Sequence, residues 1–175
     1  MTPPDETAWV VRAQCGDRDA LEQLLRRIQP PLHGYVSRIV GPTHADDVAQ
    51  EALMAVARKL AWLAEPLVFR AWVFRIASRA AFSHLRRTKR RAEDPLDGEL
   101  LDAAEAPLPL PGDARLHELL DSSALSPASR AVLLLHFREE MPLAEVAAVL
   151  EIPLGTVKSR LAYGLKTLRR EFGSA

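Results

Sequence analysis

The sequence predicts an all-α protein of two small helical domains joined by an acidic, proline-rich linker. Three observations predict it. Apolar residues recur at helical spacing through residues 17–91 and again after 114, with no alternation of the kind a half-buried strand would show. The 175-residue chain is 48% apolar, enough for packed cores, yet four of its 13 prolines fall between Pro95 and Pro111. Residues 92–113 (AEDPLDGELLDAAEAPLPLPGD) carry seven carboxylates and no cation, a composition suited to an extended tether. The expected domains are therefore 1–91 and 114–175, with 92–113 between them.

The elements follow in order. Asp17 is an N-cap candidate ahead of Leu21, Leu24, Leu25 and Ile28. Pro30 and Pro31 are expected to interrupt this helix, because each lacks the N–H an α-turn needs. Leu32, Tyr35, Val36 and Ile39 then resume the period until Gly41-Pro42. A third helix is expected from about 44–46, with Val48, Ala52, Ala55, Val56 and Leu60 as its inner face. Pro66 ends the next loop, and a fourth helix over 69–87 would turn Phe69, Trp72, Val73, Ile76 and Ala80 to the core. Beyond the linker come a short helical pattern at 116–120 and a helix over 127–137, entered by Ser126 as N-cap and Pro127 in the first turn. Two further helices share 143–170, divided at Glu151-Ile152-Pro153.

Bulk properties exclude several classes. The lone Cys15 has no internal disulfide partner, which fits a reducing cytosol. No apolar run reaches bilayer-spanning length, and the polar, acidic start MTPPDETAW does not resemble a signal peptide, so no membrane insertion and a cytoplasmic location are expected. Net charge is zero, but only by cancellation: residues 66–92 hold eight cations and no carboxylate, against the seven carboxylates of the linker. Local fields therefore matter more than the total.

Residues 143–170 have the layout of a helix-turn-helix. With Val157 as origin, Leu161, Gly164, Leu165 and Leu168 share one side of the last helix and would pack on Leu143, Val146, Ala147 and Leu150. Ser159, Ala162, Tyr163 and Lys166 fall opposite, flanked by Lys158, Arg169 and Arg170, with Gly155-Thr156 at the helix entry. Such a face could enter a major groove, its lysine and serine donating to base edges or phosphates and its alanine meeting a thymine methyl. An antiparallel helix pair with a solvated basic face has the same pattern.

In the fourth helix Arg75, Arg79, Phe82 and Arg86 form a stripe that Lys89, Arg90 and Arg91 extend. Unmixed cations suit a phosphate backbone better than plain solvent. Trp62 and Phe69 bracket the loop before it; aromatics beside a cationic helix can hold an unstacked base, and they can equally be core. Asp46, Asp47, Gln50 and Glu51 stand at the expected start of the third helix, where carboxylates can cap, complement the helix dipole or form a docking patch. The five histidines are scattered, and no metal-ligand spacing, nucleophile motif or glycine-rich phosphate loop occurs. No catalytic residue, metal or cofactor is expected.

Together these segments resemble a bacterial sigma factor of the extracytoplasmic-function group (group IV of the RNA polymerase sigma factors), over nearly the whole chain. DDVAQEALMAVARKL resembles the helix that such factors dock on the polymerase clamp. FRAWVFRIASRAAFSHLRRTKRR resembles the helix that engages the −10 promoter element, and LSPASRAVLLLHFREEMPLAEVAAVLEIPLGTVKSRLAYGLKTLRR the domain that reads the −35 element. The resemblance implies a sigma domain 2-like bundle over 1–91 and a sigma domain 4-like helix-turn-helix over 114–175. It implies that Asp46, Asp47, Gln50 and Glu51 face polymerase. It implies that Trp62, Phe69, Phe82 and the loop 62–68 capture a −10 base while Arg75, Arg79, Arg86 and Arg87 hold the backbone. Thr156, Lys158, Ser159, Arg160, Ala162, Tyr163 and Lys166 would lie at the −35 element, and the linker would thread toward the polymerase active-site and RNA-exit channels. Implied partners are core RNA polymerase, promoter DNA and an anti-sigma factor or other regulator. Departures from the family pattern bear on promoter preference: Arg79 and Ser83 replace an Asn and an Asp of IARNxxxDxxR, an Arg common near Tyr163 is missing, and Gly164 stands where Ala is common.

The expected function is that of an alternative sigma factor, which recruits core polymerase and opens promoters without catalysing a reaction. A sigma mimic that sequesters an anti-sigma factor would need no basic stripe. A free-standing helix-turn-helix repressor would leave the N-terminal half without a role.

Overall fold

The computed structural model describes residues 4–91 and 124–172, together with Leu120 and Ser122. The chain forms two compact units, 1–91 and 92–175. Among the described residues every regular element is helical. The segment 92–113, expected to be an extended linker, and most of the helical pattern at 116–120 lie outside them.

The first unit contains α1 (Pro4–Gln14), α2 (Arg18–Val40), α3 (Pro42–Lys59) and α4 (Phe69–Arg91), with short 3-10 turns at Leu60–Trp62 and Pro66–Val68. Asp17 caps α2 as expected, its carboxylate accepting from the Ala20 N–H at 3.1 Å and from Arg12 Nε at 2.8 Å. The backbone hydrogen bond first, and the Arg12 guanidinium second, hold this carboxyl below the usual carboxylate range. Gly41, at φ 85°, ends α2 in a conformation that glycine adopts without strain, and Pro42 opens α3 at a position where its missing N–H is not needed.

The expected interruption at Pro30-Pro31 does not occur: α2 runs unbroken through both prolines. Each proline forfeits one bond, to the carbonyls of Arg26 and Arg27. Both arginines are exposed, so water can serve those carbonyls instead. Continuity comes from packing, because Leu24, Ile28, Leu32, Tyr35, Val36 and Ile39 are buried on both sides of the prolines.

α2, α3 and α4 pack pairwise around one core, with α1 laid on α2 and on the two 3-10 turns. Ala45, Ala49 and Ala52 on α3 are small enough for a close helix approach, while Tyr35 and Phe74 supply bulk and meet edge-to-face at 5.4 Å. The Tyr35 hydroxyl is paired in the interior with Ser78 Oγ at 2.7 Å. The buried face of α4 is turned from the expected one. Phe69 and Val73 belong to it, but it continues through Phe74, Ala77, Ser78 and Ala81, leaving Trp72, Ile76 and Ala80 half-buried. Tyr35 offers the Phe74 ring a place in the core, where the two meet edge-to-face.

The second unit contains α5 (Pro127–Leu133), a π-turn (Leu134–Arg138), α6 (Leu143–Leu150) and α7 (Leu154–Phe172). Ser126 caps α5, accepting from the Ser129 N–H at 3.2 Å. The helix expected over 127–137 widens into the π-turn at Leu134, where Leu133, Leu134 and Leu135 are all fully buried. Glu151 takes a left-handed conformation (φ 56°) and ends α6, and Pro153 follows before α7 begins. α7 packs on α5 as well as on α6. Its buried residues are Val157, Gly164, Thr167 and Leu168, with Leu161 and Leu165 half-buried; on α6 the buried residues are Val146 and Val149, and Leu143, Ala147 and Leu150 are half-buried.

Candidate functional site

Three surfaces gather the residues singled out from sequence. The first is the outer face of α7. Lys158 and Lys166 are exposed, Tyr163 is 41% exposed, and Ser159 and Ala162 are half-buried beside them. From Thr156 to Lys166 this face extends about 15 Å, the reach of one major-groove contact. The Ser159 hydroxyl donates to the Thr156 carbonyl at 3.0 Å, so it must rotate to meet a base. Arg160 stands apart from this face, because 100° steps carry it round the helix toward buried Thr167. It is half-buried, and that burial pulls its pKa below the ordinary arginine value.

The second surface joins α4 to the preceding loop. Arg79, Arg86 and Arg87 are exposed along α4, with Arg75 and Phe82 half-buried in the same stripe, which covers about 16 Å between Arg75 and Arg86. α4 carries no carboxylate. Arg87 pairs with Glu51 of α3 at 3.5 Å, an exposed contact worth at most about 1 kcal/mol and therefore easily exchanged for a phosphate. Trp62 is 78% exposed, and Leu67 and Val68 are exposed beyond it. Phe69 is a correction: it is fully buried in the bundle and offers no ring face to a base. The helical wheel already turned Phe69 to the core face of α4, and its burial decides for that reading over base capture.

The third surface is on α3. Asp47, Gln50, Glu51, Met54 and Arg58 line a shallow groove. α3 starts at Pro42, two residues before its expected start, so its first turn holds no acid and the capping role considered for these carboxylates has no place there. Asp46 is not in the groove; it pairs with His33 of α2 at 2.8 Å.

Three residues of these surfaces were missed in sequence. Met54 and Arg58 simply continue the row begun by Asp47 and Glu51, and counting seven and eleven residues on from Asp47 would have found them. Gln14 had no such signal. Its carboxamide donates to the carbonyls of Leu60 at 3.0 Å and Leu63 at 2.7 Å, nearly fifty residues away in sequence. Among the described residues no group of three or more His, Cys, Asp or Glu side chains is placed to hold a metal ion, and no helix is long and apolar enough to cross a membrane.

Comparison with known proteins decides what these surfaces belong to. Residues 24–91 match the Sigma-70 region 2 family and residues 123–170 the Sigma-70, region 4 family. The RNA polymerase sigma-H factor of Pseudomonas aeruginosa is 29% identical over 174 residues, covering 92% of this chain and 90% of the relative. The ECF RNA polymerase sigma factor SigW of Bacillus subtilis is 27% identical over 171 residues, covering 89% and 90%. The chain belongs to the extracytoplasmic-function sigma factors.

Among solved structures, CnrH in complex with the cytosolic domain of CnrY superposes on this sigma factor with a TM-score of 0.67 at 25% identity, covering 97% of this chain and 98% of that one. The sigma factor RpoE, crystallised with the anti-sigma factor NepR from Bartonella quintana, gives 0.63 at 22% identity over 85% and 94%, a likeness of fold. As an alternative sigma factor the protein acts in transcription initiation, with core RNA polymerase and promoter DNA as its partners. The cationic α4 and the basic face of α7 fall inside the two matched regions, and α1 falls outside them.

Proposed function

We propose a division of labour among the three surfaces. The α3 groove, with Asp47, Gln50 and Glu51, docks on core polymerase. The α4 stripe of Arg75, Arg79, Arg86 and Arg87, with Phe82 and the Trp62 loop, engages the −10 element. The outer face of α7, from Thr156 and Lys158 through Ser159, Ala162 and Tyr163 to Lys166, reads the −35 element, with Arg160 on its flank. Asp46 contributes from the edge of the groove, where it is held by His33. The observation that carries this reading is the carboxylate-free α4 beside a loop that leaves an indole in water. Unmixed cations hold phosphates, and an exposed indole stacks a base that has left the duplex.

The protein works in the cytoplasm, where polymerase and promoters are, and contributes recognition rather than chemistry of its own. The complex of the sigma factor RpoE with the anti-sigma factor NepR supports control by an anti-sigma partner, which would cover one or more of these surfaces until an inducing signal arrives.

Two substitutions test the assignment in reconstituted holoenzyme. Lys158→Ala removes a cation from the outer face of α7 and should weaken −35 discrimination while core affinity is kept. Asp47→Arg reverses a charge in the α3 groove and should lower core affinity, leaving −35 preference intact in the holoenzyme that still forms. Loss of the same function by both variants would refute the division.

A further inference from the structure

The loop that carries Trp62 is held in place by α1, which lies outside the stretch matching region 2. Gln14, the last residue of α1, gives one carboxamide N–H to the Leu60 carbonyl (3.0 Å) and the other to the Leu63 carbonyl (2.7 Å). These carbonyls bracket the 3-10 turn, which is itself closed by the Leu63 N–H donating to Leu60 at 3.1 Å. Leu60 and Leu63 are buried at 3% and 7% exposure, so the turn is anchored from beneath while Trp62 stands outward at 78%. At the far end of the loop, α1 packs against the Pro66–Val68 turn. There Glu6, also on α1 and only 4% exposed, is attracted to Arg70, the second residue of α4. One short helix thus braces both ends of the loop.

We infer that Gln14 is a positioning residue for −10 strand capture, holding the Leu60–Leu63 turn so that Trp62, Leu67 and Val68 form a platform for an unstacked base before DNA arrives. The inference rests on the reading of this loop as a −10 contact. A loop ordered only on binding loses conformational freedom at that moment and binds more weakly; one already fixed does not. A carboxamide suits the task because it has two N–H groups for two carbonyls, whereas a carboxylate has none. Losing two partly buried hydrogen bonds should slow promoter opening about tenfold.

The test uses full-length chains assembled with core polymerase: wild type, Gln14→Leu, Gln14→Glu and Trp62→Ala. The probe is one promoter that the wild-type holoenzyme transcribes, with its −10 region randomised, and trapped open complexes are sequenced. Gln14→Glu keeps shape and solubility while removing the donors, so it stands in if Gln14→Leu fails to fold. Both Gln14 variants should open the parent promoter about tenfold more slowly and flatten base preference at the same −10 position as Trp62→Ala, with core affinity unchanged. A merely structural role would lower the unfolding temperature and leave the base preference as it was. That result, with preference lost in Trp62→Ala, would overturn the inference. If Trp62→Ala itself left the preference intact, the reading of the loop would fall, and the inference with it.

Discussion

Gly164→Ala sets a helix-forming gain against a steric cost, and the structure decides between them. In an exposed helix this substitution stabilises by about 1 kcal/mol. Here Gly164 is buried against α5: an added Cβ would stand 2.8 Å from Leu133 Cδ1 and 3.5 Å from both Leu133 Cγ and Ser129 Cβ. Carbon atoms rest at about 3.5–4.0 Å, so the leucine must retreat by roughly 1 Å. Leu133 is itself at 0% exposure, so its side chain must shift within a close-packed interior. Overpacking of this kind costs about 1–3 kcal/mol, which leaves a net loss of about 1 kcal/mol after the helix gain. Amide hydrogen exchange in α5 and α7 of the intact chain should therefore speed up about fivefold where it reports opening of this unit. Leu133→Val shortens the opposing side chain, so in the double variant the two losses should sum to less than their separate values. Slower exchange in Gly164→Ala alone would refute the close approach. The same contact accounts for glycine at this position: Leu133 already fills the space a Cβ would need.

Two further predictions concern the first unit. Pro30→Ala restores an N–H to the Arg26 carbonyl within α2 at an exposed position and should stabilise by about 1–2 kcal/mol after allowance for the freer unfolded chain; a fall in the unfolding midpoint would contradict it. Burial raises the Glu6 carboxyl above its ordinary 4.5 more than Arg70 and Arg27 lower it, so between 4.5 and that raised value the folded protein holds a proton that the unfolded chain has released. Stability from this group is accordingly lost as pH rises through the folded pKa. Glu6→Gln should be more stable than wild type at neutral pH, with the two curves converging as pH falls toward 4.5. A gap that widened in acid would show that attraction to the arginines, not burial, dominates.

Helical periodicity carried most of the fold, because a helix that buries one face must repeat its apolar residues at that spacing. It located α2, α3, α4 and α7, and local chemistry placed the caps Asp17 and Ser126. It failed where tertiary packing outweighed local preference. Pro30 and Pro31 break helices on propensity alone, but buried residues on either side hold α2 together. Three consecutive leucines after Val132 read as one helix, yet their joint burial accompanies a π-turn. On α4, Trp72 looked like core and Phe74 did not, because a wheel cannot say where a neighbouring helix offers room. The surfaces divided in the same way. Lys158, Lys166, Arg79 and Arg86 were legible as exposed cations, because the absence of opposing charge is a property of sequence. Phe69 had two readings, core on the wheel and base capture beside the loop, because an aromatic next to a loop has the same letter whether it faces inward or outward. Gln14 was invisible because its meaning lies entirely in two carbonyls from another part of the chain.

In the proposed function one chain grips a promoter at two places on behalf of polymerase. Mapping transcript starts over a whole genome template with purified core polymerase, with and without this protein, tests it most directly. A two-point grip predicts a discrete set of new starts, each preceded by a shared −10 sequence and a shared −35 sequence at fixed spacing. It predicts that Lys158→Ala loses selectivity at the −35 sequence and Trp62→Ala at the −10 sequence. Starts indistinguishable from those of core polymerase alone, or a shared sequence at only one of the two places, would contradict it.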